Sequence, residues 1–340
     1  MLTPPDLAHE SIRQCLSTAY GLKNAQAQFL PFGADVNSAA FRVDADDGTA
    51  YFLKLRRDGV DPSVATVPAF LHREKGIEAV MAPLPTTDGR PSVQSLGFDW
   101  TLYPFFDGPN GFERALTDTQ WRALGAALGA IHRTELPEAL SASLPKERYA
   151  HHWREGVRRY QRRFINGLNG MNGGDILERF FAFWEEHAEE IDTIVYRSEQ
   201  LASILLERPP QLVPCHADLH AGNVLVGNDA HLSIVGWRRV MLAPKERDLM
   251  FIGGGAGHAW NQPAQEALFY EGYGAADIDA VALAYYRYER ITRNILEICE
   301  QMFDAAAGAQ DREEGLRQMK RQFLPDDVVA IAHRSYDAVT

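Results

Sequence analysis

The chain has 340 residues, of which 46% are hydrophobic and 24% charged, and its formal net charge at pH 7 is −12. This composition is typical of a folded globular protein and excludes a long disordered or low-complexity chain. The negative charge disfavours nucleic acid and anionic membranes as partners and agrees with a small cationic substrate.

The first predicted element is an amphipathic helix over residues 3–20. It carries Asp6, Glu10 and Arg13, and these charges exclude a secretory signal peptide. No run of about 18 apolar residues follows anywhere in the chain, so a spanning helix is not predicted. We therefore expect a cytoplasmic protein.

Short strands follow the first helix. Runs rich in Phe, Val, Tyr and Leu predict a small antiparallel sheet. A helix is predicted between them at 63–75, and Pro68 is expected to interrupt it because proline lacks a backbone N–H. The predicted strands are 28–30, 40–43, 50–55 and two more within 92–106, on either side of Gly97.

Helical periodicity dominates from residue 118 onward. Thr117 or Asp118 provides the N-terminal cap of the first of these helices. Helices continue to about residue 206 with a break at 167–174, and they resume over 245–304 and 326–336. The segment between them, 212–235, reads as a loop followed by a β-hairpin. The sequence thus predicts an α+β chain with a strand-rich lobe over 1–104 and a helical lobe over 105–340.

Residues 215–226 carry the clearest chemical pattern. They read Cys-His-Ala-Asp-Leu-His-Ala-Gly-Asn-Val-Leu-Val, a polar loop that opens between two apolar strands. This fits H-x-D-x-x-x-x-N, in which the aspartate accepts a substrate hydroxyl proton and the asparagine holds a metal ion. Asp218 and Asn223, five residues apart on a tight loop, can both point into one cleft. His216 and His220, taken singly, are more typical of structural histidines.

This loop resembles the signature of the aminoglycoside phosphotransferase family, whose fold is similar to that of protein kinases. The resemblance implies a two-lobed protein-kinase-like fold and transfer of a phosphoryl group from ATP or GTP to a hydroxyl of a small, cationic, antibiotic-like substrate. The downstream segments most resemble the branch of the family that acts on spectinomycin. The further segments that carry the resemblance are 103–105, 109–112, 241–255, 269–274 and 285–290.

The resemblance also implies roles for single residues. Asp218 becomes the catalytic base, Asn223 a ligand of Mg²⁺, and Lys54 the strand lysine that grips the α- and β-phosphates. Taken alone, Lys54 is equally compatible with an ordinary edge-strand lysine. The predicted helix at 63–75 offers no acidic residue in its middle to pair with this lysine, and Glu74 lies near its end.

The nucleotide base has its own predicted contacts. Tyr103 to Phe105 corresponds to the hinge whose backbone groups receive the base, a reading compatible with a strand that ends at proline. His220 is expected to approach the phosphates, while His216 braces the loop. The segment Gly33–Ser38 would cover the phosphates, although it is poor in glycine.

One segment departs from the family pattern. The strand after the catalytic loop normally ends in Ile-Asp-Trp followed by an acid, whereas this chain reads Ile-Val-Gly-Trp-Arg-Arg over 234–239. Trp237 fixes the register, so Gly236 replaces the magnesium-binding aspartate and Arg238 replaces the second acid. Loss of that ligand should lower turnover on the order of 10²-fold or more, judged from single preorganised electrostatic groups.

Three hypotheses follow from this departure. The chain is a phosphotransferase with impaired turnover, or it is a pseudokinase that binds nucleotide or ligand without metal-dependent transfer. In the third, Arg238 or Arg239 inserts its guanidinium where magnesium would lie, since a planar fork suits phosphate oxygens. The competing interpretation of these arginines is solvent exposure on a surface turn.

Overall fold

Five antiparallel strands form the sheet that the N-terminal sequence predicts. The computed structural model describes residues 4–31, 37–57, 61–165, 174–228, 230–255, 257, 259–304 and 308–339. The strand order is β1-β2-β3-β5-β4. These strands are β1 (Gln26–Leu30), β2 (Ser38–Asp44), β3 (Ala50–Arg56), β4 (Val93–Ser95) and β5 (Phe98–Pro104).

The two faces of this sheet have different surroundings. Side chains alternate between faces along a strand, so Leu53, Leu55, Trp100 and Leu102 share one face, where they are almost completely buried. Helix α1 (His9–Tyr20) contributes Leu16 and its neighbours to the same apolar cluster. The opposite face is therefore left to the polar residues of β3 and β5.

Helix α2 (Ser63–Arg73) runs through Pro68 without a break, so the predicted interruption is wrong. The proline removes one backbone hydrogen bond from the helix. Val67, Pro68 and Leu71 are all buried in this helix, and burial of apolar surface offsets the missing bond.

A small hairpin follows the catalytic loop, as the sequence predicts. Its strands are β7 (Val224–Val226) and β8 (Leu232–Ile234), while β6 (Val213–Cys215) and β9 (Met241–Ala243) form another two-stranded sheet. The hairpin is tied to the segment after α2, because the amide of Met81 donates to the Ile234 carbonyl at 3.1 Å. Strand β8 of the hairpin is thus hydrogen-bonded to the segment that follows α2.

The remaining elements are helical. Helix α3 begins with the predicted cap, since Thr117 and Gln120 exchange side-chain to backbone hydrogen bonds in a capping box. Helix α10 is the longest, and it packs against α5, α7, α11 and α12 through buried tyrosines and aliphatic residues. The helices after α2 are α3 (Asp118–His132), α4 (Glu138–Ser143), α5 (His152–Ile165), α6 (Gly174–Glu186), α7 (Ala188–Glu207), α8 (Glu246–Leu249), α9 (Pro263–Tyr273), α10 (Ala280–Phe303), α11 (Ala309–Gln322) and α12 (Val328–Asp337).

Packing divides the chain into two units that are each discontinuous in sequence. The first comprises residues 1–145, 216–241 and 268–274, and the second comprises 146–215, 242–267 and 275–340. The division into lobes at residue 104 stays a prediction. Among the helices that the structure describes, none is both long and apolar enough to cross a membrane.

Candidate functional site

A cavity of about 900 Å³ lies within the first unit. Six positions that the sequence singles out line it together: Lys54, Tyr103, Phe105, Asn223, Gly236 and Arg238. They come from the sheet, from the segment after β5 and from the hairpin region, which are far apart in sequence. Residues 33–36 of the predicted phosphate cover lie outside the described residues.

The polar face of β3 and β5 forms one wall of this cavity. Lys54 is paired in register with Thr101, and Arg56 with Asp99, and all four side chains line the cavity. Asp99 is only 7% exposed and is the diagonal neighbour of Lys54 on this face, within reach of a long side chain. Arg56 and Asp99 were not among the predicted site residues, although they lie at every second position from Lys54 and Tyr103 along their strands.

Helix α2 contributes an apolar side chain to the same cavity. Val64 lines it, whereas Glu74 is exposed at the C-terminal cap of the helix. The carboxylate on the same sheet face as Lys54 is therefore that of Asp99 and not one from the helix.

The segment Tyr103–Phe105 presents its aromatic rings to the cavity. The Phe105 amide donates to the Ala50 carbonyl at 3.2 Å, so this backbone donor is engaged within the sheet. The Phe105 ring packs under the Arg42 guanidinium, 4.5 Å from the ring centroid. Desolvation raises the pKa of the Tyr103 phenol. The contacts available to a flat ligand at this end are thus aromatic and apolar.

Buried His216 braces the catalytic loop, as expected from the sequence. Its Nδ1 accepts from the Asp218 amide at 3.2 Å, and its Nε2 lies 2.8 Å from the Val235 carbonyl. The neutral tautomer with the proton on Nε2 satisfies both contacts. Ala217, between the two, adopts a positive φ of 63°, a strained conformation for a residue with a side chain. The loop is held by these bonds in a shape that its sequence does not favour locally.

Asn223 joins the loop to the cavity. Its Nδ2 donates to the Asp218 carbonyl at 2.8 Å and lies 3.2 Å from Nε2 of His220. The His220 ring stacks on Phe112, with 5.8 Å between ring centroids. The structure thus brings Asp218, His220 and Asn223 together, but only Asn223 is among the residues that line the cavity.

Gly236 lies directly against the Asn223 side chain. Its backbone is left-handed, with φ 84° and ψ 34°, a region that glycine adopts without strain. A Cβ atom at this position would lie 2.4 Å from Oδ1 of Asn223. The asparagine amide therefore occupies space that any larger residue at 236 would need.

The two positions that the family pattern assigns to the ion, Asn223 and Gly236, do not by themselves fit magnesium. Magnesium prefers an octahedral set of oxygen ligands that includes one or two carboxylates. Gly236 offers none, and Asn223 supplies a single neutral amide oxygen. Within the described ranges, no group of three His, Cys, Asp or Glu ligand atoms able to share an ion includes Asp218 or a residue of the cavity. The magnesium that the resemblance implies stays a prediction.

Two arginines follow Gly236 on a short 3-10 turn, Trp237–Arg239. The Arg238 side chain lines the cavity. Arg239 lies beside the catalytic loop, with its Nε 3.6 Å from Oδ2 of Asp218. The sequence contains no motif that predicts this contact, because the two residues lie in separate segments.

Comparison with known proteins gives consistent matches. The model of the phosphotransferase enzyme family (APH) matches residues 28–288. The structure of the spectinomycin phosphotransferase APH(9)-Ia in complex with ADP and spectinomycin is 36% identical, with a TM-score of 0.90 over 97% of this chain and 99% of that one. An AMP-bound complex of that enzyme has a TM-score of 0.84 and the same identity over 96% and 98% of the two chains.

Two more distant proteins extend this similarity. Protein StrN of Streptomyces griseus is 27% identical over 229 residues, which is 65% of this chain and 67% of that protein. The amicoumacin kinase hAmiN, in complex with AMP-PNP, Ca²⁺ and Ami, is 15% identical, with a TM-score of 0.62 over 94% of this chain and 95% of that one. This last match concerns the fold alone. The predicted two-lobed kinase-like fold is confirmed by these matches.

Proposed function

The chain belongs to the phosphotransferase enzyme family, and we propose that it transfers the γ-phosphoryl group of ATP or GTP to a hydroxyl of a small cationic molecule of the spectinomycin and aminoglycoside class. The observation that carries the proposal is one cavity lined by Lys54, Tyr103, Phe105 and Asn223, with Asp218 bonded to its edge. The 36% identity to a spectinomycin phosphotransferase over 97% of the chain supports the substrate class.

In this proposal the nucleotide lies along the wall formed by β3 and β5. The base stacks among Phe52, Tyr103 and Phe105, and the phosphates extend toward Lys54. The Lys54 ammonium group on this wall neutralises phosphate charge, and Asp99 on the same face orients the lysine side chain.

The transfer itself is mainly a matter of position. The acceptor hydroxyl gives its proton to the Asp218 carboxylate while its oxygen forms a bond to the γ-phosphorus. The bond from that phosphorus to the bridging oxygen breaks, and its electron pair stays on the departing nucleoside diphosphate. His216 and Asn223 hold the loop in shape. In this position the Asp218 carboxylate orients the hydroxyl, so that its oxygen attacks the phosphorus in line with the leaving oxygen.

A second candidate function is nucleotide binding without turnover. Two observations favour it: Gly236, which lies against Asn223, brings no carboxylate to a cation, and Arg239 lies 3.6 Å from the carboxylate that would act as base. Such a protein would bind nucleotide in the cavity without transferring its phosphoryl group.

The test is transfer of labelled phosphate from ATP and from GTP to a panel of aminocyclitols and aminoglycosides. We expect transfer to at least one acceptor, and Asp218→Asn should reduce it by about 10³-fold, since a general base contributes about 10²–10⁴-fold. Asp6→Asn, at an exposed aspartate near the N-terminus, is the matched control and should leave the rate unchanged.

The two candidates give different outcomes in this experiment. Nucleotide-dependent thermal stabilisation with no transfer to any acceptor would favour the second candidate. Absence of both stabilisation and transfer would contradict a nucleotide site altogether.

A further inference from the structure

The turn that carries Gly236 is fixed against the catalytic loop by its backbone. The Val235 amide donates to the Asn223 carbonyl at 2.9 Å, and the Val235 carbonyl contacts His216. The Trp237 indole donates to the Ile234 carbonyl at 3.2 Å and packs edge-on against the His216 ring. The position of Gly236 beside Asn223 is therefore fixed by these contacts and does not depend on the choice of sequence register.

The residue after Trp237 reverses the charge expected from the family pattern. Two carboxylates are replaced by a glycine and an arginine, which shifts the local charge in the positive direction by more than a magnesium ion would bring. Arg238 lines the cavity that also contains Lys54. A guanidinium presents several N–H donors in one plane and binds phosphate oxygens in a bidentate way.

Arg239 brings a second guanidinium to the reacting end of the site. Its Nε lies 3.6 Å from Oδ2 of Asp218, and the two side chains are 34% and 25% exposed. Both side chains are partly exposed, so a phosphate can approach this guanidinium without a large desolvation cost.

From these contacts we propose that Arg238 and Arg239 hold the β- and γ-phosphates of the nucleotide in place of a divalent cation, so that nucleotide binds this site without magnesium. The proposal rests on the nucleotide site of the proposed function. It explains why the departure from the family pattern comprises both a lost acid and a gained base at neighbouring positions.

The first test measures the dissociation constants of ATP and GTP on the full chain by calorimetry, in EDTA and in excess magnesium. We expect the two conditions to differ by less than about threefold for each nucleotide. Binding that is tenfold or more tighter in magnesium would overturn this inference and leave the proposed function standing. Failure of both nucleotides to bind in either condition would contradict the proposed function itself.

Substitutions distinguish a specific role of the two arginines in nucleotide binding from the effect of removing any positive charge. Arg238→Gln and Arg239→Gln should each weaken binding in EDTA by about tenfold or more, the effect of a lost hydrogen bond to a charged group. Arg90→Gln removes an exposed arginine of the same unit that pairs with Asp88, and it should change nothing. Equal binding by all three variants would overturn the proposal.

A matched pair at Gly236 tests the cation directly. Gly236→Asp and Gly236→Ala both place a Cβ on a left-handed backbone and against Asn223, but only the aspartate adds a metal ligand. We expect magnesium to tighten nucleotide binding about tenfold or more in Gly236→Asp and not in Gly236→Ala. A magnesium effect of equal size in both variants would show that another group holds the ion.

Discussion

Two arginine–carboxylate contacts in this molecule use the same chemistry in opposite surroundings. In the second unit, Nη1 of Arg247 lies 2.6 Å from Glu289 and 3.5 Å from Glu147, and none of these side chains is more than 10% exposed. In the first unit, Arg239 lies 3.6 Å from Asp218, and both side chains reach solvent. The first contact is buried within the unit, whereas the second is partly exposed to solvent.

The difference follows from desolvation. Burial alone would lower the pKa of Arg247, but Glu289 and Glu147 raise it above the ordinary value, so the guanidinium stays charged. The Tyr286 hydroxyl also donates to Glu147 at 3.2 Å. Removing one member of such a cluster leaves an uncompensated charge inside the protein, whereas an exposed pair returns to water at little cost.

The largest expected effect is on the buried cluster. Arg247→Met should lower the free energy of unfolding by about 3–5 kcal/mol, because two buried carboxylates lose their partner. Urea unfolding followed by tryptophan fluorescence measures this loss. Adding Glu147→Gln and Glu289→Gln should restore part of the stability, since the stranded charges are then gone. A loss below about 1 kcal/mol in the single variant would contradict the view that the Arg247 cluster stabilises the fold more than the Arg239 pair does.

The next effect concerns the glycine beside Asn223. Gly236→Ala should cost about 1–2 kcal/mol for the left-handed backbone, and about 1 kcal/mol more because the Asn223 amide must give up its bond to Asp218. Gly48→Ala is the matched control, since its φ is 82° and nothing lies within 4 Å of the added Cβ. Equal unfolding free energies for the two variants would mean that Asn223 moves aside without cost.

The smallest effect is expected where function is proposed. Arg239→Gln should change the free energy of unfolding by less than about 1 kcal/mol, because a partly exposed ion pair contributes little. The same urea titration that reports on Arg247 measures it. A loss as large as that of Arg247→Met would identify Arg239 as a structural residue and weaken its assignment to phosphate binding.

The sequence predicted the elements that depend on local patterns. Runs rich in Phe, Val, Tyr and Leu predicted the strands, and Thr117, one of the two residues expected to cap α3, is the cap. The spacing of Asp218 and Asn223 predicted their proximity, because a tight loop leaves few alternatives. Pro68 was misjudged, since the penalty of a proline in a helix is local while the burial that offsets it is tertiary.

Contacts between distant segments could not be predicted in this way. Alternation along β5 places Asp99 on the same face as Tyr103, but its position diagonally across from Lys54 depends on the register of β3 and β5. The approach of Arg239 to Asp218 depends on how the hairpin returns to the loop, and no spacing rule encodes that return. The same holds for Gly236, whose identity was plain in the sequence but whose contact with Asn223 was not.

The discontinuity of the first unit has a consequence for biosynthesis. The ribosome releases the whole five-stranded sheet early, yet this unit also includes residues 216–241 and 268–274. A nascent chain that stops after residue 145 thus has the sheet wall of the cavity and lacks Asn223, Gly236 and Arg238. Ligand-dependent protection of this unit against protease should therefore arise only in chains that extend past the hairpin region and Arg238, in the last third of the sequence.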